Sequence, residues 1–253
     1  MLFRSAGERE RGAVSDALLR ALPMQAAPVP LTRNSSGRRV STNDCYLEPA
    51  RSRASLTILG DSEVDCLLFG GRRFAAVRLM DGREFEAGEV IVCAGAVHTP
   101  AILLRSSVDT PGIGDGLKDH AAFPVPIVLA DGVPWDPAGL PVSVVARLSS
   151  GESPADLQLL PLDHLGASAP RIGMVMVALM EVRSTGTVRL DASDPRRDPV
   201  VDFNLLSDET DARRLLSGVQ RLQMLLDHPA MRALGTPDLP RTDLAGVRAN
   251  LGD

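Results

Sequence analysis

The sequence predicts a mixed fold, α/β with an α+β portion, and three observations predict it. Short strand-like runs alternate with Gly-Gly and Asp-Gly turns over residues 56–86, and an apolar run at 89–96 leads straight into a helical pattern. After Gly116, a series of proline-broken apolar runs precedes an amphipathic helix. With 253 residues and 44% hydrophobic content, the chain can build one large or two modest domains with true cores.

The elements follow in order. Residues 14–22 have helical spacing and stop before Pro23, after which Pro28 and Pro30 impose extended backbone; segment 1–36 therefore reads as a connection rather than core. Met1-Leu2-Phe3-Arg4-Ser5 matches what an adapter end read in frame would encode, so an artefactual start is expected there. Runs at 56–59, 64–69, 74–79 and 84–86 are separated by Gly60-Asp61, Gly70-Gly71 and Asp81-Gly82. Turns of this composition supply the positive φ of tight hairpins, and a small antiparallel meander is expected.

Glu89-Val90-Ile91-Val92-Cys93-Ala94-Gly95-Ala96 reads as a buried strand ending in small residues. Thr99 is the expected N-cap, and Pro100 the first residue, of a helix running to Leu104. A strand feeding a helix through glycine and alanine lets an anionic group or polar rim of a cofactor approach the backbone, and ordinary α/β packing explains the same residues. Pro111-Gly112-Ile113-Gly114-Asp115-Gly116 marks a domain boundary. The runs at 123–129, 142–148, 157–160, 173–182 and 187–190 suit one multi-stranded antiparallel sheet. Ser207-Asp208-Glu209 opens a helix with acidic residues at its positive end, and Leu215, Val219, Leu222 and Leu226 form the stripe that should lie on that sheet.

Several function classes lose support. A net charge of -5 and a pI near 5.4 provide no basic field for nucleic acid. The longest apolar stretch, 172–180, is about half of the ~20 residues a spanning helix needs, and the first residues carry no secretion signal. Cys45, Cys66 and Cys93 fit reduced, buried thiols, which makes the cytoplasm the expected compartment. No G-x-S-x-G, H-E-x-x-H or P-loop occurs, and the G-x-G-x-G at 112–116 lacks a preceding strand. His98, His120, His164 and His228 have no metal spacing, so no metal is expected. His98 and His120 adjoin glycine-marked turns, whereas His228, at a helix end before Pro229, is explained by a cation on the helix dipole.

Four stretches, taken in order, resemble the glucose-methanol-choline (GMC) family of FAD-dependent oxidoreductases. They are Gly37-Arg38-Arg39-Val40-Ser41-Thr42-Asn43-Asp44-Cys45-Tyr46-Leu47-Glu48-Pro49-Ala50; Val90 to Ser106, containing Cys93-Ala94-Gly95-Ala96-Val97-His98-Thr99-Pro100-Ala101-Ile102-Leu103-Leu104; Pro111-Gly112-Ile113-Gly114-Asp115-Gly116-Leu117-Lys118-Asp119-His120; and Arg183-Ser184-Thr185-Gly186-Thr187-Val188-Arg189-Leu190 with Ser193-Asp194-Pro195. Two departures are plain. Ser106-Ser107-Val108-Asp109 stands where the family has serine-glycine-x-glycine, with a shortened loop after it, and Gly116 stands where the family has asparagine. The short loop is similar to the actinobacterial, mycofactocin-associated branch.

The resemblance implies a partial FAD-binding α/β domain at 37–112, after the connecting segment 1–36, and an antiparallel-sheet substrate domain with packed helices at 113–253. It implies FAD as cofactor, a small-molecule alcohol as substrate, an unspecified electron acceptor, and transfer of hydride from the alcohol carbon to flavin N5. Carried over residue by residue, Val64 would offer backbone groups to the adenine, Ala94 and Gly95 would line the adenosine-pyrophosphate side, and His98 and Thr99 belong to the same signature. Val64 also reads as meander core. The family's pyrophosphate-binding glycine motif is not found upstream of Gly37, and its catalytic histidine is expected beyond Asp253. Gly235-Thr236 lacks that histidine. The expectation is therefore an enzyme recorded incomplete, inactive as this chain alone; the alternative is a non-catalytic remnant, or half of a split enzyme acting as an interaction module.

Overall fold

In the computed structural model, residues 4–34, 36–71, 73–108 and 110–249 are described. Met1-Leu2-Phe3 of the expected artefactual start, Asp109 of the shortened loop and Gly252-Asp253 lie outside the described residues. The first half of the chain forms β1 (Arg4–Ser5), α1 (Ala13–Ala21), β2 (Ala26–Pro28), β3 (Pro30–Leu31), α2 (Glu48–Ala50), β4 (Val64–Gly70), β5 (Arg73–Leu79), β6 (Glu84–Glu86), α3 (Gly95–Arg105) and β7 (Asp115–Leu117). The second half forms β8 (Ala122–Leu129), β9 (Val144–Leu148), β10 (Leu157–Leu162), β11 (Ile172–Leu179), β12 (Gly186–Arg189), β13 (Val200–Asp202), α4 (Glu209–Leu226), α5 (Pro229–Arg232), β14 (Gly235–Pro237) and α6 (Leu244–Ala249). These elements make two units that interleave along the chain: 1–49, 120–183 and 206–253 form the first, 50–119 and 184–205 the second. The sequence expectation was of consecutive blocks, 1–36, 37–112 and 113–253.

The first unit is built on an antiparallel sheet of order β14-β8-β11-β10-β9-β2. Strand alternation sends Phe123, Val125, Ile127, Leu157, Leu159, Val175 and Val177 to one buried face. Helices α1 and α4 cover that face, and glycines allow the close approach: a Cβ at Gly218 of α4 would lie 2.6 Å from Val177, and one at Gly173 2.5 Å from Val14 of α1. The predicted stripe of α4 is buried as expected, and the Asp208 carboxylate caps the helix by accepting the Thr210 N–H at 2.7 Å. Arg214 of α4, itself buried, donates to Asp156 at 2.8 Å and to the Glu181 carbonyl at 2.8 Å. Ser150 donates to the same Asp156 through its N–H and its hydroxyl.

Within segment 1–36, α1 and β2 contribute to the core rather than forming only a connection. Val14, Ala17 and Leu18 are fully buried on the sheet, and β2 adds its edge strand. The reason is a partner distant in sequence. Asp163 accepts from the Ser15 N–H at 2.9 Å and the Ser15 hydroxyl at 2.6 Å, so the amino end of α1 is capped from the β10 side of the chain.

The second unit holds the meander β4-β5-β6, helix α3 against β4, and the sheet β13-β12-β7. Three expectations are corrected here. Residues 56–59 form no strand, and Leu59 is 49% exposed, because no described segment pairs with them. Run 187–190 belongs to this small sheet as β12, not to the large one; the Gly186 and Gly114 approaches select it, since an added Cβ would meet Asp202 O at 1.9 Å and Val188 O at 2.2 Å respectively. Residues 89–94 are not a buried strand, for they pair with no described strand and Ile91 is 80% exposed.

Candidate cofactor-binding site

Helix α3 begins a turn earlier than the sequence suggests. Its N-cap is Ala94, and Gly95 opens the helix at φ +81°, a left-handed conformation that a side chain would strain. A Cβ placed on Gly95 would meet nothing within 4 Å, and Ala94, Gly95 and Ala96 are all exposed. The helix therefore presents bare backbone at its positive end. Thr99 is not the N-cap but lies one turn inside, where its hydroxyl accepts the Ala94 N–H at 3.1 Å. Pro100 is likewise inside α3, where it leaves the Ala96 carbonyl without its helical donor. His98 is exposed on the same helix.

Val64 sits at the other end. The Arg105 guanidinium, in the last turn of α3, donates to Asp65 O at 2.8 Å and to Val64 O at 3.4 Å. The Ser106 hydroxyl donates to Ile102 O at 2.6 Å and accepts the Leu67 N–H at 2.8 Å, fixing helix to strand. Val64 is half-buried, which serves both of its sequence readings. The structure thus brings all five predicted residues into one unit but in two groups: Ala94, Gly95, His98 and Thr99 at the head of α3, and Val64 near its tail. At 1.5 Å per residue the helix separates them by about 15 Å, a distance only an elongated ligand bridges.

Charge around the tail was not foreseen. The Asp65 carboxylate is buried among three guanidiniums: Arg196 at 2.9 Å, and Arg78 and Arg105 each at 3.4 Å. One carboxylate among three arginines leaves a local positive excess beside Val64. Arg196 arrives on the returning segment 184–205, so no local pattern could have joined it to Asp65.

Other candidates resolve into structure. Cys66 is buried as expected, whereas Cys93 is exposed and Cys45 half-buried, since the apolar runs around them are not packed as core. His228 does not cap the carboxyl end of α4 but is the N-cap of α5, its Nδ1 accepting the Ala230 N–H at 3.2 Å. His164 accepts the Gly166 N–H in the same way at 3.1 Å. His120 places Nδ1 2.8 Å from the Leu179 carbonyl. Gly235-Thr236 pairs with β8 as part of β14. A cleft of about 470 Å³ in the first unit contains none of the predicted residues, and its charges largely pair with each other, as Arg11 does with Asp16 at 2.8 Å and Arg33 with Glu10 at 3.9 Å. Among the described residues there is no cluster suited to a metal ion, and no helix is long and apolar enough to cross a membrane.

The fold is one found in solved oxidase structures. Pyridoxine 4-oxidase from Mesorbium loti superposes with a TM-score of 0.83 at 18% identity, over 98% of this chain and 58% of that one. Formate oxidase from Aspergillus oryzae RIB40 does so with 0.79 at 16% identity, over 98% and 59%. Among curated relatives, 5-(hydroxymethyl)furfural oxidase of Methylovorus sp. (strain MP688) is 33% identical over 222 residues, 78% of this chain and 41% of the relative. Oxygen-dependent choline dehydrogenase of Paraburkholderia phymatum is 28% identical over 253 aligned positions, 81% and 44%. The chain therefore spans less than half the length of these relatives. Two family profiles, both described as GMC oxidoreductase, match residues 24–122 and 182–250, about two thirds of the chain. The chain belongs to the GMC oxidoreductase family, whose cofactor is FAD.

Proposed function

We propose that this chain contributes to an FAD-dependent oxidoreductase acting on the CH–OH group of an alcohol, giving an aldehyde or ketone. The observation that carries the reading is the open backbone at Ala94 and Gly95, at the positive end of an eleven-residue helix, where nothing within 4 Å would meet a ligand atom placed at the missing Cβ. FAD, when bound, supplies the hydride acceptor. Ala94 and Gly95 would line its adenosine-pyrophosphate side, with the open backbone of Gly95 nearest the anion and His98 and Thr99 on the same helix; Val64 would meet its adenine end through backbone groups. The group that accepts the alcohol proton is not assigned to a described residue.

The test is to express the protein from its complete genomic reading frame, load it with FAD, and add primary alcohols without oxygen. Bleaching of the flavin absorbance, with aldehyde formed in equal amount, is expected. A flavin-loaded protein that no alcohol bleaches would refute the reading.

A further inference from the structure

The helix-free face of the six-stranded sheet has its own pattern. Cross-strand register sets Leu160 beside Met176 and Met176 beside Pro124, then Leu162 beside Met174 and Met174 beside Pro126. These apolar side chains are half-buried rather than covered. The next row is different: Arg147 pairs with Gln158, Gln158 with Ala178, and Ala178 with Ala122. Arg147 is exposed, and among the described residues neither its side chain nor that of Gln158 has a hydrogen bond or ion pair. The two alanines beside them carry only methyl groups, so Arg147 and Gln158 are the long polar side chains of the row.

We propose that Arg147 and Gln158 bind the anionic end of an alcohol whose apolar body lies along Leu160, Met174 and Met176. The substrate class is an aryl or alkyl alcohol bearing a carboxylate. This rests on the reading that the protein oxidises alcohols. A guanidinium fork with a neighbouring amide donor matches a carboxylate in geometry and charge, and methionines adapt their shape to a flat or bent apolar body. A cationic alcohol would meet like charge on this wall. Covering an unpaired guanidinium with apolar protein surface would be strongly unfavourable, so the row suits a ligand that brings the counter-charge.

The experiment compares para-(hydroxymethyl)benzoate, its neutral amide and choline on the FAD-loaded protein made from the complete reading frame, and titrates benzoate calorimetrically into the same protein. The carboxylate should be preferred over the amide in kcat/KM by about tenfold or more, as expected for a charge-assisted pair, with choline poorest. Arg147→Gln should abolish the preference through KM, raising it for the carboxylate much more than for the amide, and weaken benzoate about tenfold; Arg147→Lys should recover part of both. Because Arg147 is exposed and unpaired, an unchanged melting temperature is expected and separates this effect from misfolding. Equal turnover of carboxylate and amide, or a preference that survives Arg147→Gln, overturns the proposal while leaving alcohol oxidation standing. If no alcohol bleaches the flavin, the reading of the reaction fails instead, and benzoate binding that ignores Arg147 still overturns the anion site.

Discussion

At Gly95 a backbone conformation and an open surface coincide. The φ of +81° makes any L side chain costly by about 1–2 kcal/mol, with asparagine cheaper than valine. If flavin meets this backbone, Gly95→Val should weaken FAD retention by more than its loss of melting temperature accounts for, whereas Gly95→Asn should lose less of both. Flavin titrations on the two variants check this, and a valine variant that holds FAD as tightly as wild type refutes the site. The buried pair Asp156 and Arg214 is a different kind of residue-scale feature. Asp156→Ala removes the shortest carboxylate contact of a buried guanidinium, leaving Asp211 at 3.5 Å and Glu181 at 3.6 Å, and should destabilise the first unit by about 3 kcal/mol, read by chemical denaturation. Acid acts on the same group. Burial favours neutral Asp156, yet the Ser150 donors and Arg214 outweigh it and hold its pKa below the ordinary range. The hydroxyl and N–H of Ser41, with Arg38, hold Asp44 at about 2. Both values are depressed on folding, so their contribution is present above the unfolded pKa of about 4 and is lost as pH falls through the folded values. Asp163 has the opposite sign. Burial raises its pKa despite the Ser15 donors, so its contribution is full below the unfolded value and is lost as pH rises. A melting temperature that drops steeply below about pH 4 is expected, with Asp156→Asn flattening part of the drop.

At the scale of elements, what the sequence revealed and what it hid separate by the range of the contacts involved. The meander strands β4, β5 and β6 were legible because Gly70-Gly71 and Asp81-Gly82 turn the chain locally. Helix α4 was legible from its cap and stripe, both of which lie within one segment. Helix α1 was not recognised as core because Asp163, which caps it, lies 148 residues away. The start of α3 was misplaced because Thr99 and Pro100 have the composition of a helix start, whereas Gly95 takes that role through its φ. In the candidate site, Ala94, Gly95, His98 and Thr99 came from one contiguous motif; Asp65 and its three arginines, drawn from β4, β5, α3 and the 184–205 return, left no local trace. The pairing of β7 with β12 depends on one glycine. Gly114→Ala would place a methyl 2.2 Å from the Val188 carbonyl at a φ of +80°, and should destabilise the second unit by about 2 kcal/mol while accelerating hydrogen exchange at the Val188 N–H, which donates to Gly114 O at 2.7 Å. Gly82→Ala, with the same sign of φ but open space, should lose only about 1 kcal/mol. His228→Ala removes the α5 cap, lowers stability by about 1 kcal/mol and should leave alcohol turnover unchanged.

At the scale of the whole molecule, the half-covered sheet face around Met174 and Met176 sets behaviour in solution. The 253-residue chain expressed by itself should self-associate and bind a hydrophobic dye, because contiguous apolar patches above a few hundred Å² promote association. Light scattering after gel filtration checks this; a dispersed monomer would show that the face is already shielded. The interleaving of the two units has a further consequence, one of time. Gly114 and β7 leave the ribosome well before β12 and β13, and everything from β8 to β11 emerges in between. During synthesis at about 5–20 residues per second, the meander and α3 must therefore wait, half-assembled and with the Asp65 carboxylate lacking Arg196, until the strands of the other unit have been made. The two pieces of the second unit, 50–119 and 184–205, are separated by the whole of 120–183, so a pause in translation between residues 119 and 184 would hold it in its unfinished state, open to chaperones and proteases.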